Sequence, residues 1–330
     1  MGDDQTVEQL NMRWAINHAL DEEMERDELV CLIGQDIGET GGTFGLTRGL
    51  YDKYGARRVR DAPISEEGLA NLAVGAAMTG LRPVLEIMFM DFTALIMDAM
   101  ANQAAKTRYL SGSQLKVPMV LRTLGGAGFR AGSHHSQSLE AWFVHVPGLK
   151  VVAPSTPSDA KGLLKASIRD DNPVVFLEPK GLLSVKGPAP VPGEVIELGT
   201  ADIKRPGTDV TIIAIGRMVP VVLEAAAQLA EEGIDAEVLD PRTLQPLDTD
   251  TILDSVARTG RAVVVHEAPS PAGIGAEIAA VIAEGCLEHL DAPIKRVTGA
   301  SVPIPFGSAE DHLFPNPSRV ADEVRALLSA

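Results

Sequence analysis

Residues 29–33 read Leu-Val-Cys-Leu-Ile, too short a run for a helix and apolar at alternate and intervening positions alike, as a strand covered on both faces must be. Comparable runs recur at 84–89, 119–123, 150–152 and 174–177, and helical stretches near 8–25, 66–79, 92–109 and 157–169 lie between them. That alternation predicts parallel pairing, because strands that point the same way need a crossover long enough to hold a helix. One such sheet is complete before residue 185.

Next comes Gly187-Pro188-Ala189-Pro190-Val191-Pro192-Gly193. Its prolines withhold the backbone donors that a helix or central strand needs, so the segment reads as an interdomain crossing. Beyond it the alternation restarts, with strands at 210–215, 236–239, 262–266 and 294–297 and helices at 218–232, 248–257 and 273–286. A chain of 330 residues also exceeds what one core usually fills. The expected fold is α/β with two α/β domains, 1–186 and 194–330, joined by a Pro-rich linker at 187–193.

Several function classes drop out. No apolar run reaches the roughly 18 residues of a membrane span, and Met1-Gly2-Asp3-Asp4 is acidic where a signal peptide is basic, so a cytoplasmic location is expected. A net charge of −16 argues against nucleic acid or an anionic membrane as partner. Residues 190–330 carry 22 Asp and Glu against 10 Lys and Arg, an acidic surface suited to a basic partner. Cys31 and Cys286 form no metal or redox motif and read as buried thiols. The glycine-dense stretches 34–45 and 125–132 lack the order that dinucleotide binding requires, and neither a phosphate-binding loop nor a Gly-x-Ser-x-Gly elbow is present.

What stands out is Asp61-Ala62-Pro63-Ile64-Ser65-Glu66-Glu67-Gly68. Ser65 is placed to cap a helix whose first turn holds Glu66 and Glu67, where carboxylates suit the helix dipole. The helix then runs through Ala70, Ala73, Gly75, Ala76 and Ala77 to Gly80, smooth enough to press closely on another backbone.

These residues resemble a known family. Arg60-Asp61-Ala62-Pro63-Ile64-Ser65-Glu66, Val74-Gly75-Ala76-Ala77-Met78-Thr79-Gly80-Leu81-Arg82-Pro83, His135-Ser136-Gln137-Ser138, Pro147-Gly148-Leu149-Lys150-Val151-Val152 and Glu237-Val238-Leu239-Asp240-Pro241-Arg242-Thr243 look like the beta subunit of the thiamine-diphosphate-dependent first component of 2-oxo-acid dehydrogenase complexes. Glu86-Ile87-Met88-Phe89-Met90-Asp91-Phe92 and Gly126-Ala127-Gly128-Phe129-Arg130-Ala131 are most similar to the acetoin dehydrogenase type, with pyruvate and branched-chain types next.

The resemblance implies two transketolase-like domains, a pyrimidine-binding domain followed by a C-terminal domain. It gives Glu66 the task of hydrogen-bonding a pyrimidine nitrogen of thiamine diphosphate as acid/base element, Phe92 that of packing on that ring, and His135 that of assisting acyl transfer to the lipoyl arm. Leu95, also placed at the cofactor, stands where pyruvate-type subunits carry a polar residue, a departure that would reshape the substrate pocket. Gln35 and His134 also depart from the family pattern. Asp170 and Asn172, with main-chain oxygens of Met119, Ser167 and Ile168, match a potassium loop. Magnesium and the diphosphate fall to an alpha subunit in an α2β2 heterotetramer, since no Gly-Asp-Gly anchor occurs in this chain. A dihydrolipoamide acyltransferase core is the further partner implied, with a small molecule as substrate. The rival readings are a nicotinamide-dependent dehydrogenase, which the glycine loops oppose, and a non-catalytic assembly subunit, which the retention of Glu66, Phe92 and His135 together opposes.

Overall fold

A computed structural model describes residues 9–188, 190–191 and 193–329. The acidic N-terminus Met1-Gly2-Asp3-Asp4, and Ala189 and Pro192 of the expected linker, lie outside the described residues. The chain divides into two compact units, Met1–Leu124 with Val146–Leu198 and Gly125–His145 with Gly199–Ala330.

In the first unit, six strands lie in the order Lys150–Val152, Val174–Pro179, Val120–Gly125, Arg82–Phe89, Val30–Gly34, Val59–Asp61. Val30–Gly34 pairs in parallel with both neighbours, Leu32 facing Val59 on one side and Val84 on the other. Helices Met12–Arg26 and Pro157–Arg169 pack together on this sheet, and Met12, Ile16, Leu20, Leu163, Leu164 and Ile168 bury their side chains in its core. In the second unit, four parallel strands and one antiparallel edge run in the order Lys295–Gly299, Ala262–Pro269, Val210–Ala214, Ala236–Asp240, Asp202–Arg205. Helices Met218–Glu231 and Pro317–Leu328 cover one of its faces through Val222, Leu229, Val320 and Val324.

Three expectations change. The first helix starts at Met12 and not near residue 8, because Gln9–Asn11 pairs as a short strand with Lys186–Pro188 and Asn11 caps the helix by accepting from Trp14 N at 3.0 Å. The stretch 92–109 is no single α-helix: it winds as 3-10 over Met90–Ile96, as π over Ala99–Ala104 and as a short α-helix over Ala105–Leu110. The first unit also continues past 187–193 to Leu198. Ile196 and Leu198 still pack on its core, Ile196 N donates to Gly162 O at 3.2 Å, and the Ile196 side chain fills the space that Gly162 leaves by lacking a Cβ.

The excursion 125–145 is the least expected feature. It lies in sequence between strands of the first sheet, yet belongs to the second unit.

Candidate active site

The strand Val59–Asp61 ends beside Gly34, where Ala62 N donates to Gly34 O at 3.0 Å, and the chain turns there into helix Glu66–Met78. Residues just past the carboxyl ends of parallel strands are where open α/β sheets present their chemistry. Ser65 is the N-cap residue, but its side chain makes no capping bond. The helix ends as the sequence indicates, with Gly80 at φ +104, a conformation that needs glycine, and Leu81 N closing onto Ala76 O at 3.0 Å.

Glu66, the first residue of this helix, is half-buried, while Glu67 beside it is exposed. The helix packs against the 3-10 segment Met90–Ile96, which carries Phe92 and Leu95. Phe92 is half-buried and meets Phe89 edge-on at 5.8 Å between ring centroids, and Phe89 meets Phe44 in the same way at 5.9 Å. Leu95 is 60% exposed, a large apolar side chain left facing outward. At the same end of the sheet, directly after strand Val30–Gly34, Gln35 is buried and its Nε2 finds no hydrogen-bond partner among the described residues. A buried donor without an acceptor is costly unless a bound group satisfies it.

Beneath this surface a charged array crosses three neighbouring strands. Arg122 is fully buried, its Nε donating to Glu178 Oε1 at 2.6 Å and its Nη1 to Glu86 Oε2 at 3.0 Å. Burial pushes both glutamates above the usual carboxylate range, and the guanidinium offsets this only in part. Lys180 is buried nearby, with its ammonium 5.1 Å from the centre of the Phe89 ring. Sequence reading missed this array, although charged residues inside otherwise apolar strand runs were the available signal.

The potassium candidates gather around one turn of the first unit. Asp170 follows helix Pro157–Arg169 as its C-cap, and its carboxylate accepts from Lys150 and from Asn172 N at 2.8 Å. Arg82 Nη1 donates to the carbonyls of Ile168 and Asp170, each at 3.0 Å, and Arg108 donates to Asn172 Oδ1 at 2.7 Å. The carbonyls of Met119 and Ser167 accept from Val174 N at 3.0 Å and Asp170 N at 3.3 Å. A carbonyl oxygen has two lone pairs, so these bonds leave one on each of the four. A monovalent cation at this turn would depend on main-chain oxygens, two of which already accept from Arg82, because the side chains of Asp170 and Asn172 are taken by protein cations. No cluster of three or more His, Cys, Asp or Glu among the described residues could hold a metal ion. Nor is any described helix long and apolar enough to cross a membrane.

His135 is half-buried on the excursion 125–145 of the second unit, its N donating to Gly132 O at 3.2 Å. Gly126 N donates to Gln137 O at 3.0 Å and closes the neck of the loop. Gly126 has φ +76, and a Cβ there would overlap Glu267 Oε1, so no other residue fits. Glu267 accepts from Ser138 Oγ at 3.2 Å and from Arg217 Nε at 2.6 Å. Below the neck, Glu140 pairs with His266, both buried. Burial raises the Glu140 carboxyl, but the facing His266 outweighs it, and the net shift is downward. The structure thus brings Glu66, Phe92 and Leu95 onto adjoining elements of one unit and places His135 on the other.

Comparison with known proteins agrees with this architecture. Residues 8–186 match the family "Transketolase, pyrimidine binding domain", and residues 199–320 match "Transketolase, C-terminal domain". The beta subunit of acetoin:2,6-dichlorophenolindophenol oxidoreductase from Bacillus subtilis is 47% identical, the match covering 97% of each chain. The 2-oxoisovalerate dehydrogenase subunit beta of the same organism is 44% identical over 95% of this chain and 97% of the relative. A solved structure described as "Split gene transketolase, inactive beta4 tetramer" shares the fold, with a TM-score of 0.78 at 23% identity over 97% of this chain and 98% of that one. The chain belongs to the family of beta subunits of the thiamine-diphosphate-dependent acetoin and 2-oxo-acid dehydrogenases.

Proposed function

We propose that this chain, with an alpha partner in an α2β2 heterotetramer, cleaves acetoin and passes the acyl group to lipoamide of a dihydrolipoamide acyltransferase core. The observation that carries the reading is the position of Glu66, half-buried at the start of a helix that opens from the strand ends, with Phe92 on the adjoining segment. The orphaned Gln35 amide supports it by leaving a donor at the same end of the sheet. Thiamine diphosphate, when bound, supplies the carbanion stabilisation that carbon–carbon cleavage needs.

The chain's own residues do the rest of the pyrimidine-side work. The Glu66 carboxylate holds or releases a proton at a ring nitrogen, the general acid/base role of a positioned carboxyl. Phe92 packs on the ring, and Leu95 keeps the approach apolar, which suits neutral acetoin better than a 2-oxo acid whose carboxylate must be held. His135 meets the lipoyl arm, and the acidic surface of residues 199–330 faces the basic segment of the acyltransferase core. Magnesium and the diphosphate are assigned to the alpha partner. Potassium would sit at the turn of Asp170 and Asn172 through main-chain oxygens of Met119, Ser167, Ile168 and Asp170. The free, buried thiols Cys31 and Cys286 suit a reducing cytoplasm.

Oxidative decarboxylation of pyruvate or a branched-chain 2-oxo acid is the second reading, supported by the 44% identity to a subunit named for 2-oxoisovalerate. The deciding experiment on the main claim is Glu66→Gln in the reconstituted enzyme. The amide keeps the shape and loses the acid/base group, so turnover falls by about 10²–10⁴-fold while assembly with the alpha partner is retained. Unchanged turnover would remove Glu66 from the chemistry.

A further inference from the structure

The loop that carries His135 is packed at Ala127 and Ser136 but borders an open cavity on part of its surface. Ser133, Gln137 and Ser138 of the loop line a cavity of about 430 Å³ together with Val302, Ile304 and Phe314. A segment that borders a cavity forgoes packing contacts on that side and depends the more on discrete bonds. Several of the bonds that hold the arm leading to His135 come from the stretch 304–311. Ser133 Oγ donates to Ile304 O at 2.8 Å, Ala131 bridges Phe306 in antiparallel fashion, Arg130 pairs with Asp311 at 2.5 Å, and Gly128 N donates to Glu310 Oε1 at 2.7 Å.

Glu310 differs from the other anchors. Arg130 and Asp311 are about half exposed, at 54% and 49% of their side chains, so water competes for that pair. Glu310 is only 2% exposed, sits in the 3-10 turn Gly307–His312, and its Oε2 has no hydrogen-bond partner among the described residues. Among the described residues, the buried side chain of Glu310 accepts from one backbone N–H, that of Gly128. The acceptor end of this bond is buried although Gly128 itself is exposed, and its charge-assisted character makes it a strong single anchor for the loop.

We propose that Glu310 is a positioning residue for His135, acting through the Gly128 N–H to fix the arm of the loop that leads to the histidine. The proposal rests on the reading of His135 as the residue that serves acyl transfer. It assigns Glu310 no contact with substrate or cofactor. Without the anchor, the loop can settle toward the cavity and carry His135 out of register with the arriving lipoyl arm, whereas steps that do not involve the lipoyl arm keep their geometry.

The test uses the enzyme reconstituted with its alpha partner and compares two rates, reduction of 2,6-dichlorophenolindophenol with acetoin and acylation of a lipoyl domain. In Glu310→Ala, kcat/KM for lipoyl acylation is expected to fall about tenfold further than the dye rate, equivalent to about 1.4 kcal/mol of transition-state stabilisation. Glu310→Gln, whose amide oxygen can still accept from Gly128 N–H, restores acylation. Glu310→Asp keeps the charge but is one methylene too short, and behaves like the alanine variant; it also serves if the alanine variant fails to fold. Equal losses in the two assays, or a glutamine variant no better than alanine, would overturn the proposal. His135→Ala run alongside separates the two claims: intact acylation there removes the role of His135 and the proposal with it, whereas lost acylation with a normal Glu310→Ala enzyme sinks the proposal alone.

Discussion

Arg122→Met isolates the buried array of the first unit. The substitution preserves most of the side-chain volume, because methionine is long, unbranched and adaptable, so little of its effect comes from packing. What it removes is the cation that donates to both Glu178, at 2.6 Å, and Glu86, at 3.0 Å, in a site where Arg122 and Glu178 are each 1% exposed and Glu86 8%. Breaking a buried ion pair by deleting one partner costs about 3–5 kcal/mol, since the remaining charge has no water to turn to. At about 2–4 °C per kcal/mol for a unit of this size, the melting temperature should fall by roughly 6–20 °C.

The loss has a definite pH dependence. Burial already raises Glu86 and Glu178 above their ordinary value, and removing the guanidinium raises them further. A carboxyl whose folded pKa lies above its unfolded value contributes stability below the unfolded pKa, about 4.3, and that contribution is lost as pH rises through the folded value. The deficit of Arg122→Met should therefore be smaller at pH 5 than at pH 8, and adding Glu86→Gln and Glu178→Gln should recover much of it at pH 8. Thermal melts at the two pH values, followed by circular dichroism, measure both effects. A melting temperature within about 2 °C of the parent at pH 8, or a deficit that grows in acid, would refute the reasoning.

Three further outcomes are expected. At limiting substrate, the reconstituted enzyme should show a higher kcat/KM with acetoin than with pyruvate or branched-chain 2-oxo acids; a tenfold preference for pyruvate, about 1.4 kcal/mol, would move the assignment to the decarboxylating reading. His266→Ala leaves Glu140 buried without its partner and should lower the melting temperature at neutral pH. Because the Glu140 pKa is depressed in the parent, its stabilising contribution is present above about pH 4.3 and lost as pH falls through the folded value, so parent and variant melts should converge in acid. Gly75→Ala should stabilise the isolated chain by about 0.5–1 kcal/mol, since Gly75 lies in the helix interior and a Cβ there meets nothing within 4 Å; weaker assembly of the same variant with the alpha partner would mark this face of the helix as covered in the complex.

The strands were legible because most are buried on both faces, and such runs are dense in Val, Ile and Leu wherever they occur; Val30–Gly34, Val174–Pro179 and Val210–Ala214 bury every residue. The final helix Pro317–Leu328 went unread although Asn316-Pro317 is a recognisable start, with Asn316 accepting from Arg319 N at 2.9 Å. Winding in 90–110 was not legible, since a 3-10 to π to α progression leaves the hydrophobic spacing close to that of a continuous helix. The allegiance of 125–145 was the least accessible. It depends on Glu267, Glu310 and Asp311, each more than a hundred residues away in sequence, and nothing local to the loop announces them. The candidate site divides likewise: Glu66 and Phe92 sit on elements that local pattern located, whereas the surroundings of His135 are made by tertiary contacts.

Glu66 and Glu67 offer an internal comparison that separates chemistry from helix electrostatics. Both are in the first turn of Glu66–Met78, and neither is served by a side-chain cap from Ser65. If the dipole were the whole reason for an acid at this place, the two would be nearly interchangeable, each worth about 0.3–1 kcal/mol. They differ in setting: Glu66 is half-buried on an element that packs against the segment of Phe92, and Glu67 faces solvent. Neutralising Glu67 should then cost stability within the dipole range and leave turnover near the parent value. Neutralising Glu66 should cost similar stability and at least about a hundredfold in turnover. Matched losses of turnover in Glu66→Gln and Glu67→Gln would mean that the first turn acts only through its summed charge, and the acid/base assignment would fall while the fold and family stand.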